Sequence, residues 1–283
     1  MAPALLLLAA AALDPSVFEY DHNRPFDEKI VRVDERDGAE IHDVSFVGAA
    51  SRRIAAYLVT PHRTGAKGPG ILFVHWYEPE SKDSNRTQFL EQAVELARSG
   101  ATSLLIETMW SDPKWFPARN RNNDYANSIA QVKELRRALD FLVEQKTVDR
   151  TRVAYVGHDF GAMYGAVMAG VDRRPHAWAL QAGTTSFSLW YLLGTKLEGA
   201  ERQAVRDRLA PLDPVNYIGK AAPAPVQFQF GRSDKYVPEE RAKAFFDAAK
   251  EPKTILWYDA GHGLNEQAIR DRQAWLHKVL RIK

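Results

Sequence analysis

The sequence predicts an α/β fold with a mostly parallel central sheet flanked by helices. Short apolar runs, for example residues 71–74 and 177–181, alternate along the chain with longer amphipathic segments such as residues 125–145. Strands that alternate with helices are typical of right-handed crossovers and therefore of a parallel sheet. With 283 residues, of which 45% are hydrophobic, the chain can bury one large core. We therefore expect a single domain over residues 13–283.

The first predicted elements are two strands at residues 41–47 and 53–59, and the short glycine-containing link between them favours a hairpin. A continuous apolar run at 70–76 predicts a strand that is buried on both faces. A helix is expected at 87–99, where apolar residues recur at helical spacing until Gly100. The remaining predicted elements are a strand at 101–109, a helix at 125–145, a strand at 152–156, a helix at 162–170, strands at 177–181 and 225–230, a helix at 238–249, a strand at 254–258 and a helix at 264–280.

Residues 184–223 form a predicted insertion between two strands, with one helix expected at 198–209. Apolar and aromatic residues near its start are candidates for the wall of a ligand pocket. Walls of this character favour a small hydrophobic or aromatic ligand. The candidates are Phe187, Leu189, Trp190, Tyr191 and Leu192.

Residues 1–12 form an apolar run that ends in small residues, which resembles a secretory signal peptide, although no Lys or Arg precedes the run. The run is too short to span a bilayer, which takes about 20 residues. We therefore expect export to the periplasm or the medium and no integral membrane segment in the mature chain. The alternative is a retained N-terminal helix packed on the domain, with a cytoplasmic location.

Composition narrows the class of partner. The formal net charge is +2, and basic and acidic residues are interspersed, so nothing indicates the basic stripe of a nucleic-acid-binding protein. The absence of cysteine excludes disulfides, thiolate metal sites and a cysteine nucleophile. No motif indicates a metal or a cofactor, and none is expected. The sequence carries no signature of an oligomeric state.

Residues 157–161, Gly-His-Asp-Phe-Gly, separate a β-prone apolar run from a helix-compatible run of small residues. This is the form of a tight strand-to-helix turn that presents a nucleophile, with Asp159 at the nucleophile position. The helix N-terminus behind the turn stabilises negative charge. An ionised Asp159 would be nucleophilic without a base to deprotonate it. The alternative is a carboxylate that only caps the helix.

Four polar residues follow predicted strands: His75, Asp159, Asp234 and His262. Ligands bind at the carboxyl ends of the strands in an open parallel sheet, so these side chains are expected to converge. The local sequences are Gly-Arg-Ser-Asp-Lys-Tyr-Val-Pro at 231–238 and Gly-His-Gly at 261–263. The chain order is nucleophile, acid, histidine.

On these motifs the chain resembles the α/β-hydrolase superfamily, over about residues 40–283. Residues 212–218, Leu-Asp-Pro-Val-Asn-Tyr-Ile, and the short insertion in place of a full cap resemble the dienelactone hydrolase branch. The aspartate elbow is similar instead to epoxide hydrolases and haloalkane dehalogenases. In those enzymes an Asp carboxylate attacks an sp³ carbon, and a histidine then activates water against the resulting ester.

The resemblance implies that Asp159 is the nucleophile and His262 the base, while Asp234 orients His262 and stabilises its cation. Backbone N–H groups of Phe160 and of Trp76 or Tyr77 are expected to form the oxyanion hole.

The chain departs from each Asp-nucleophile family. Dehalogenases place a halide-holding tryptophan after the nucleophile, where Phe160 stands here. The Trp76 indole is a candidate for that role or for plain packing. Tyr191 and Tyr217 in the insertion are candidates for opening an epoxide ring.

Three further residues are assigned to the substrate pocket. Trp190 belongs to the insertion, Glu78 is a second polar wall or a solvated loop residue, and His75 is a pocket residue or a loop anchor.

Three functions remain open for a chain that would act on or bind a small molecule. The first is a hydrolase that forms a covalent Asp159 ester on an epoxide or a carbon–halogen compound. The second is an ester or lactone hydrolase of the dienelactone hydrolase type, with Asp159 as the base for direct attack by water. The third is a non-catalytic relative that binds a ligand in the same pocket.

Overall fold

A computed structural model describes residues 11–62 and 65–282. Its strands belong to one nine-stranded sheet, which confirms the predicted fold class. The strands are β1 (Lys29–Arg36), β2 (Ala39–Val47), β3 (Arg53–Pro61), β4 (Gly68–Val74), β5 (Thr102–Ile106), β6 (Val148–His158), β7 (Ala177–Gln181), β8 (Val226–Gly231) and β9 (Lys253–Tyr258). The helices are α1 (Leu90–Arg98), α2 (Trp115–Ala118), α3 (Asp124–Val143), α4 (Phe160–Val171), α5 (Phe187–Tyr191), α6 (Gly199–Leu209), α7 (Glu239–Ala248) and α8 (Glu266–Leu280).

The strand order in the sheet is β1-β2-β3-β5-β4-β6-β7-β8-β9. The pairings from β5 through β9 are parallel, whereas β1–β2, β2–β3 and β3–β5 are antiparallel. The predicted hairpin is the β2–β3 pair. β1 was not predicted. It lies at the edge of the sheet and is almost entirely exposed, so it lacks the alternation of buried and exposed residues that marks a strand in a sequence.

Hydrophobic cores cover both faces of the sheet. Leu72 and Val74 of β4 pack on the face covered by α3, α4 and α7, while Ile71 and Phe73 pack on the face covered by α1 and α8. Successive side chains of a strand point to opposite faces, which is why a strand buried on both faces is apolar throughout.

The link from β6 to α4 is strained and very close to its neighbours. Asp159 has φ +54°, a conformation that non-glycine residues rarely adopt. A Cβ on Gly161 would lie 2.2 Å from the Val74 carbonyl oxygen, and one on Gly157 would lie 2.4 Å from the Gly161 carbonyl oxygen. Both positions therefore require glycine, and α4 begins directly beside the end of β4.

We expect Gly161→Ala to lower the free energy of unfolding by about 2–4 kcal/mol, because its methyl group meets backbone that cannot move freely. Urea denaturation followed by circular dichroism measures this loss. Gly65→Ala is the matched control, since nothing lies within 4 Å of a Cβ there. Equal stability of the two variants would contradict the close approach.

The insertion holds the predicted helix as α6, together with the unpredicted α5. The predicted leader, residues 1–12, lies almost wholly outside the described residues, so cleavage and export stay predictions. The backbone N–H of Leu13 donates to the Tyr217 hydroxyl at 2.9 Å, and Phe18 is buried in the core. Within the described ranges, no helix combines the length and apolar character needed to cross a bilayer.

Candidate active site

Asp159 lies at the turn between β6 and α4, at the carboxyl end of β6, and only 3% of its surface is exposed. Its Oδ2 atom accepts a 2.9 Å hydrogen bond from the backbone N–H of Tyr77. The backbone N–H of Phe160 also stabilises the ionised carboxylate. Its Oδ1 atom is buried and has no hydrogen-bond partner among the described residues. The two carboxylate oxygens therefore differ: Oδ2 is held by the Tyr77 backbone amide, and Oδ1 is unpaired.

Burial raises the pKa of Asp159 from 3.8 to about 6. The positive charge of protonated His262 and the two backbone N–H groups act in the opposite direction and limit this rise. Asp159 is therefore ionised at neutral pH in a site that solvates it poorly.

His262 follows β9 and lies between two carboxylates. Its Nδ1 atom is 2.8 Å from Asp234 Oδ2, and its Nε2 atom is 3.9 Å from Asp159 Oδ1. Burial disfavours its cation, but the hydrogen bond to Asp234 and the charges of Asp159 and Asp234 prevail and raise the pKa of His262 above its usual value. The 2.8 Å contact holds the ring with Nε2 towards Asp159.

Asp234 is itself anchored by the loop that follows β8. Its Oδ1 atom accepts hydrogen bonds from the backbone N–H groups of Tyr236, at 2.8 Å, and Val237, at 3.0 Å. The structure thus brings together the nucleophile, acid and histidine expected from the sequence.

The backbone around His262 is held from below by a stack of rings. His158 Nε2 lies 2.9 Å from the His262 carbonyl oxygen, and the Gln88 side chain contacts His158 Nδ1 at 2.7 Å. The Trp76 ring stacks on His158 with centroids 4.9 Å apart and lies parallel to His262 at 6.3 Å. These contacts fix the position of the His262 loop relative to the carboxyl ends of the strands.

A buried cation lies under the same strand ends. Arg272 of α8 is 1% exposed and donates to the side-chain oxygens of Gln181 on β7, Gln229 on β8 and Gln92 on α1. Burial lowers its pKa to about 9. No carboxylate among the described residues forms a salt bridge with it. Arg272 therefore joins α8, which follows the His262 loop, to two strands beneath the site.

A cavity of about 770 Å³ opens above Asp159 and His262. Several predicted residues line it, namely Tyr77, Glu78, Phe160 and Trp190. The Trp190 indole N–H has no acceptor among the described residues, although Trp190 is only 6% exposed. Seven further residues of the wall were not predicted from the sequence, namely Pro79, Glu80, Ser81, Phe116, Leu193, Gly194 and Tyr236. Tyr236 could have been found from its position two residues after Asp234.

Trp76 and His75 do not have the expected positions. The Trp76 backbone N–H donates to the Gln88 side chain at 2.8 Å and its indole N–H to Asp83 at 3.0 Å, so neither is free for a substrate. His75 is 1% exposed, lies outside the cavity wall and contacts the side chains of Ser111 and Thr108. Burial lowers its pKa to about 4. It is a neutral anchor of the loop after β4.

The two tyrosines that were candidates for opening an epoxide ring do not line the cavity either. The Tyr191 hydroxyl lies 2.7 Å from the Tyr164 hydroxyl, and the Tyr217 hydroxyl donates to the Pro211 carbonyl oxygen at 2.8 Å. Both side chains are at most 1% exposed and lie outside the cavity wall. Phe187, Leu189 and Leu192 also lie outside it, which leaves Trp190 as the correct choice from the first part of the insertion.

Asp159, Asp234 and His262 do not form a set of metal ligands in the described chain. Among the described residues, the side chains that lie closely enough together to hold an ion are those of Glu35, Glu40 and His62. Their ligand atoms lie within 4.8 Å of one another. They belong to the β1–β3 edge, where His62 Nδ1 already contacts Glu40 Oε1 at 3.3 Å. This group plays no part in the chemistry at Asp159.

Comparison with known sequences finds distant relatives in Mycobacterium tuberculosis. No family model matches the chain. An uncharacterized protein found in two strains of Mycobacterium tuberculosis is 28% identical over 229 residues, which cover 78% of this chain and 72% of that protein.

Solved structures share the whole architecture at low sequence identity. Acetyl xylan esterase 1 from Thermoanaerobacterium sp. JW/SL YS485 superposes with a TM-score of 0.76 and 14% identity, covering 96% of this chain and 95% of that one. An acetyl xylan esterase from Paenibacillus sp. R4 gives 0.74 and 17%, covering 93% and 91%. An α/β hydrolase from Penicillium sp. sh18 gives 0.61 and 18%, covering 84% and 98%. The chain therefore has the fold of the α/β-hydrolase superfamily, as its motifs predicted.

Because the pKa of Asp159 is raised in the folded protein, its ionised carboxylate lowers the free energy of unfolding. Because the folded-state pKa, about 6, lies above the ordinary 3.8, the carboxylate lowers stability above about pH 6 and carries no such cost below about pH 4. We expect Asp159→Asn to raise the free energy of unfolding by about 1–3 kcal/mol at pH 8. The gain should shrink between pH 6 and pH 4, as measured by denaturation at a series of pH values.

Asp149→Asn is the control of opposite sign. The hydrogen bonds of Asp149 to Thr151 and Arg152 lower its pKa to about 2. Its loss should therefore cause a small destabilisation at neutral pH that disappears in acid. A destabilised Asp159→Asn protein at pH 8 would show that the carboxylate is better solvated than its burial indicates.

Proposed function

We propose that this protein is a hydrolase in which Asp159 attacks an electrophilic sp³ carbon, as in an epoxide or a carbon–halogen compound, and forms a covalent ester. The observation that carries the proposal is the asymmetry of the Asp159 carboxylate. Oδ2 is held by the backbone N–H of Tyr77, whereas Oδ1 is unpaired at the cavity floor. A carboxylate held by one oxygen leaves the other free to react.

The first step forms a bond between Asp159 Oδ1 and the substrate carbon, and the leaving group departs with the electron pair of the broken bond. Halide and epoxide oxygen both need a hydrogen-bond donor as their negative charge develops. Trp190 lines the cavity and has a buried indole N–H without an acceptor among the described residues, so it is the candidate donor.

The second step hydrolyses the ester. The 3.9 Å between His262 Nε2 and Asp159 Oδ1 is too long for a hydrogen bond, so the imidazole is free to take a proton from water. The oxygen of that water attacks Cγ of Asp159, and the negative charge that develops on Oδ2 faces the backbone N–H of Tyr77. The ester C–O bond then breaks and His262 returns its proton to the departing alkoxide oxygen. Asp159 is left as a carboxylic acid that carries the second hydrogen of the attacking water. This proton is lost to the solvent, or to the alkoxide formed by epoxide opening, and the carboxylate is restored.

The nature of the nucleophile favours an sp³ carbon over a carbonyl carbon. Attack of a carboxylate on an ester would give a reactive anhydride, whereas attack on an alkyl carbon gives an ordinary ester. The Asp159 carboxylate also takes up the amide donor that a substrate oxyanion would need.

Ester or lactone hydrolysis is the second candidate, and two observations favour it. Proteins with similar structures include acetyl xylan esterases. In addition, burial raises the pKa of Asp159 to about 6, which makes the carboxylate a usable base for direct attack by water on a carbonyl group.

Oxygen labelling separates the two mechanisms. In a single turnover in H₂¹⁸O with enzyme in excess, the covalent route should leave the alcohol product unlabelled and place ¹⁸O in the peptide that carries Asp159. This follows because the alcohol takes its oxygen from Oδ1 and the water oxygen enters the carboxylate. Mass spectrometry of the product and of the digested protein measures both.

His262→Gln should trap the ester as a mass increase on the same peptide, because the attacking water loses its base, and Asp159→Asn should show no adduct. Label in the product and none in Asp159 during the first turnover would exclude the covalent route and favour direct attack by water. A purified protein that turns over no epoxide, alkyl halide, lactone or ester, with no label in product or peptide and no trapped adduct, would support the ligand-binding alternative.

The pH dependence of kcat/KM should reflect the ionisation of Asp159. Asp159 must be ionised to attack, and burial raises its pKa to about 6, so the rate should fall about tenfold per pH unit below about pH 6. Glu95→Gln, which removes an exposed carboxylate on α1, should leave the midpoint unchanged. A flat profile down to pH 4.5, with the fold intact by circular dichroism, would contradict an Asp159 nucleophile of raised pKa.

A further inference from the structure

We propose that the cavity selects substrates that carry a positively charged ammonium group beside the reacting carbon and rejects anionic ones. This substrate class rests on the proposed function for the chemistry at Asp159, and it is carried by separate observations on the cavity wall. They are the aromatic rings, the charges of the rim and the unpaired polar atoms at the floor.

Aromatic rings form much of the wall. They come from five separate segments of the chain, so the enclosure does not depend on one loop. Trp190 lies 5.6 Å from Tyr236 and 6.3 Å from Phe160 between ring centroids, and Tyr77 lies 5.7 Å from Phe116. The faces of aromatic rings attract cations, and quaternary ammonium groups are bound in sites of this kind.

The ionisable groups of the wall are acidic except for His262. Glu78 and Glu80 line the rim, and Asp159 lies at the floor. Within the described chain neither glutamate forms a salt bridge or a side-chain hydrogen bond. Neither Lys nor Arg contributes to the wall among the described residues. His262 is therefore the one group of the described wall that can counter the negative charge of the cavity, and the two glutamates of the rim have no paired cation.

Arg119, which lies near the cavity, does not neutralise the negative charge of its wall. Arg119 lies behind the wall, with its guanidinium 3.8 Å from the Phe116 ring centroid, and its Nε is paired with Asp124 at 3.1 Å. Its side chain is 3% exposed, so it supports Phe116 rather than facing the ligand.

Asp159 and the two glutamates lie at different depths in the cavity, and this difference sets the orientation of a bound substrate. Asp159 is 3% exposed and its unpaired Oδ1 marks the reacting end, whereas Glu80 is exposed and marks the mouth. A substrate with its electrophilic carbon at Asp159 places an adjacent ammonium group among the rings and below the glutamates. A carboxylate at the same place would face two or three negative charges in a partly desolvated site.

Equilibrium binding of three matched probes tests the charge preference without any turnover. The probes are benzyltrimethylammonium, its neutral isostere neopentylbenzene, and benzylsulfonate. We expect the cation to bind wild-type protein roughly tenfold or more tightly than the neutral isostere, and the anion to bind more weakly than both. Quenching of tryptophan fluorescence and calorimetry measure the dissociation constants.

Glu78→Gln and Glu80→Gln should each weaken binding of the cation by roughly three- to tenfold and leave the neutral probe unchanged. Glu95→Gln removes an equal charge from an exposed position on α1 and should change neither constant. Equal binding of cation and isostere, tighter binding of the anion, binding of none of the three, or insensitivity to both glutamate variants would overturn the proposal. Because the probes are not turned over, these outcomes are independent of whether Asp159 acquires label.

Discussion

The hydrogen bond from the Tyr77 backbone N–H to Asp159 Oδ2 is the contact on which the rest of the site depends. It joins the loop after β4 to the turn after β6 and makes the two oxygens of one carboxylate unequal. In water both oxygens would be equally solvated and weakly nucleophilic. Here one oxygen is fixed by the backbone, and the other remains unpaired in a buried position that raises the pKa of the group.

That contact requires β4 and the start of α4 to approach very closely. Gly161 allows it, since its Cα lies against the carbonyl oxygen of Val74, three residues before Tyr77. The same turn forces Asp159 into a positive φ. A strained backbone persists only when surrounding packing determines it, and here the cores on both faces of β4 and β6 do so. The sheet thus supplies the rigidity that the site uses.

The sequence was sufficient for the features that depend on local pattern. Buried strands, amphipathic helices and the polar residues that follow strands β6, β8 and β9 could be predicted because parallel strands end at the same edge of a sheet. The insertion could not be resolved in this way. Tyr191 and Tyr217 have the composition of pocket residues, but their hydroxyls find partners in the interior, and only packing decides which side of a short helix faces the cavity. The hydrogen-bond partners of Trp76 could not be predicted for the same reason, since Gln88 and Asp83 lie close to it only in the folded chain.

The guanidinium of Arg272 has a consequence for how the site moves. Its two terminal nitrogens donate to three amide oxygens from α1, β7 and β8, so any fluctuation that lifts α8 breaks three buried hydrogen bonds and leaves those amides unpaired. The loop that carries His262 leads directly into α8. Local opening of this helix is therefore disfavoured, and we expect the backbone amides of the His262 loop to exchange with solvent more slowly than those of an exposed surface loop.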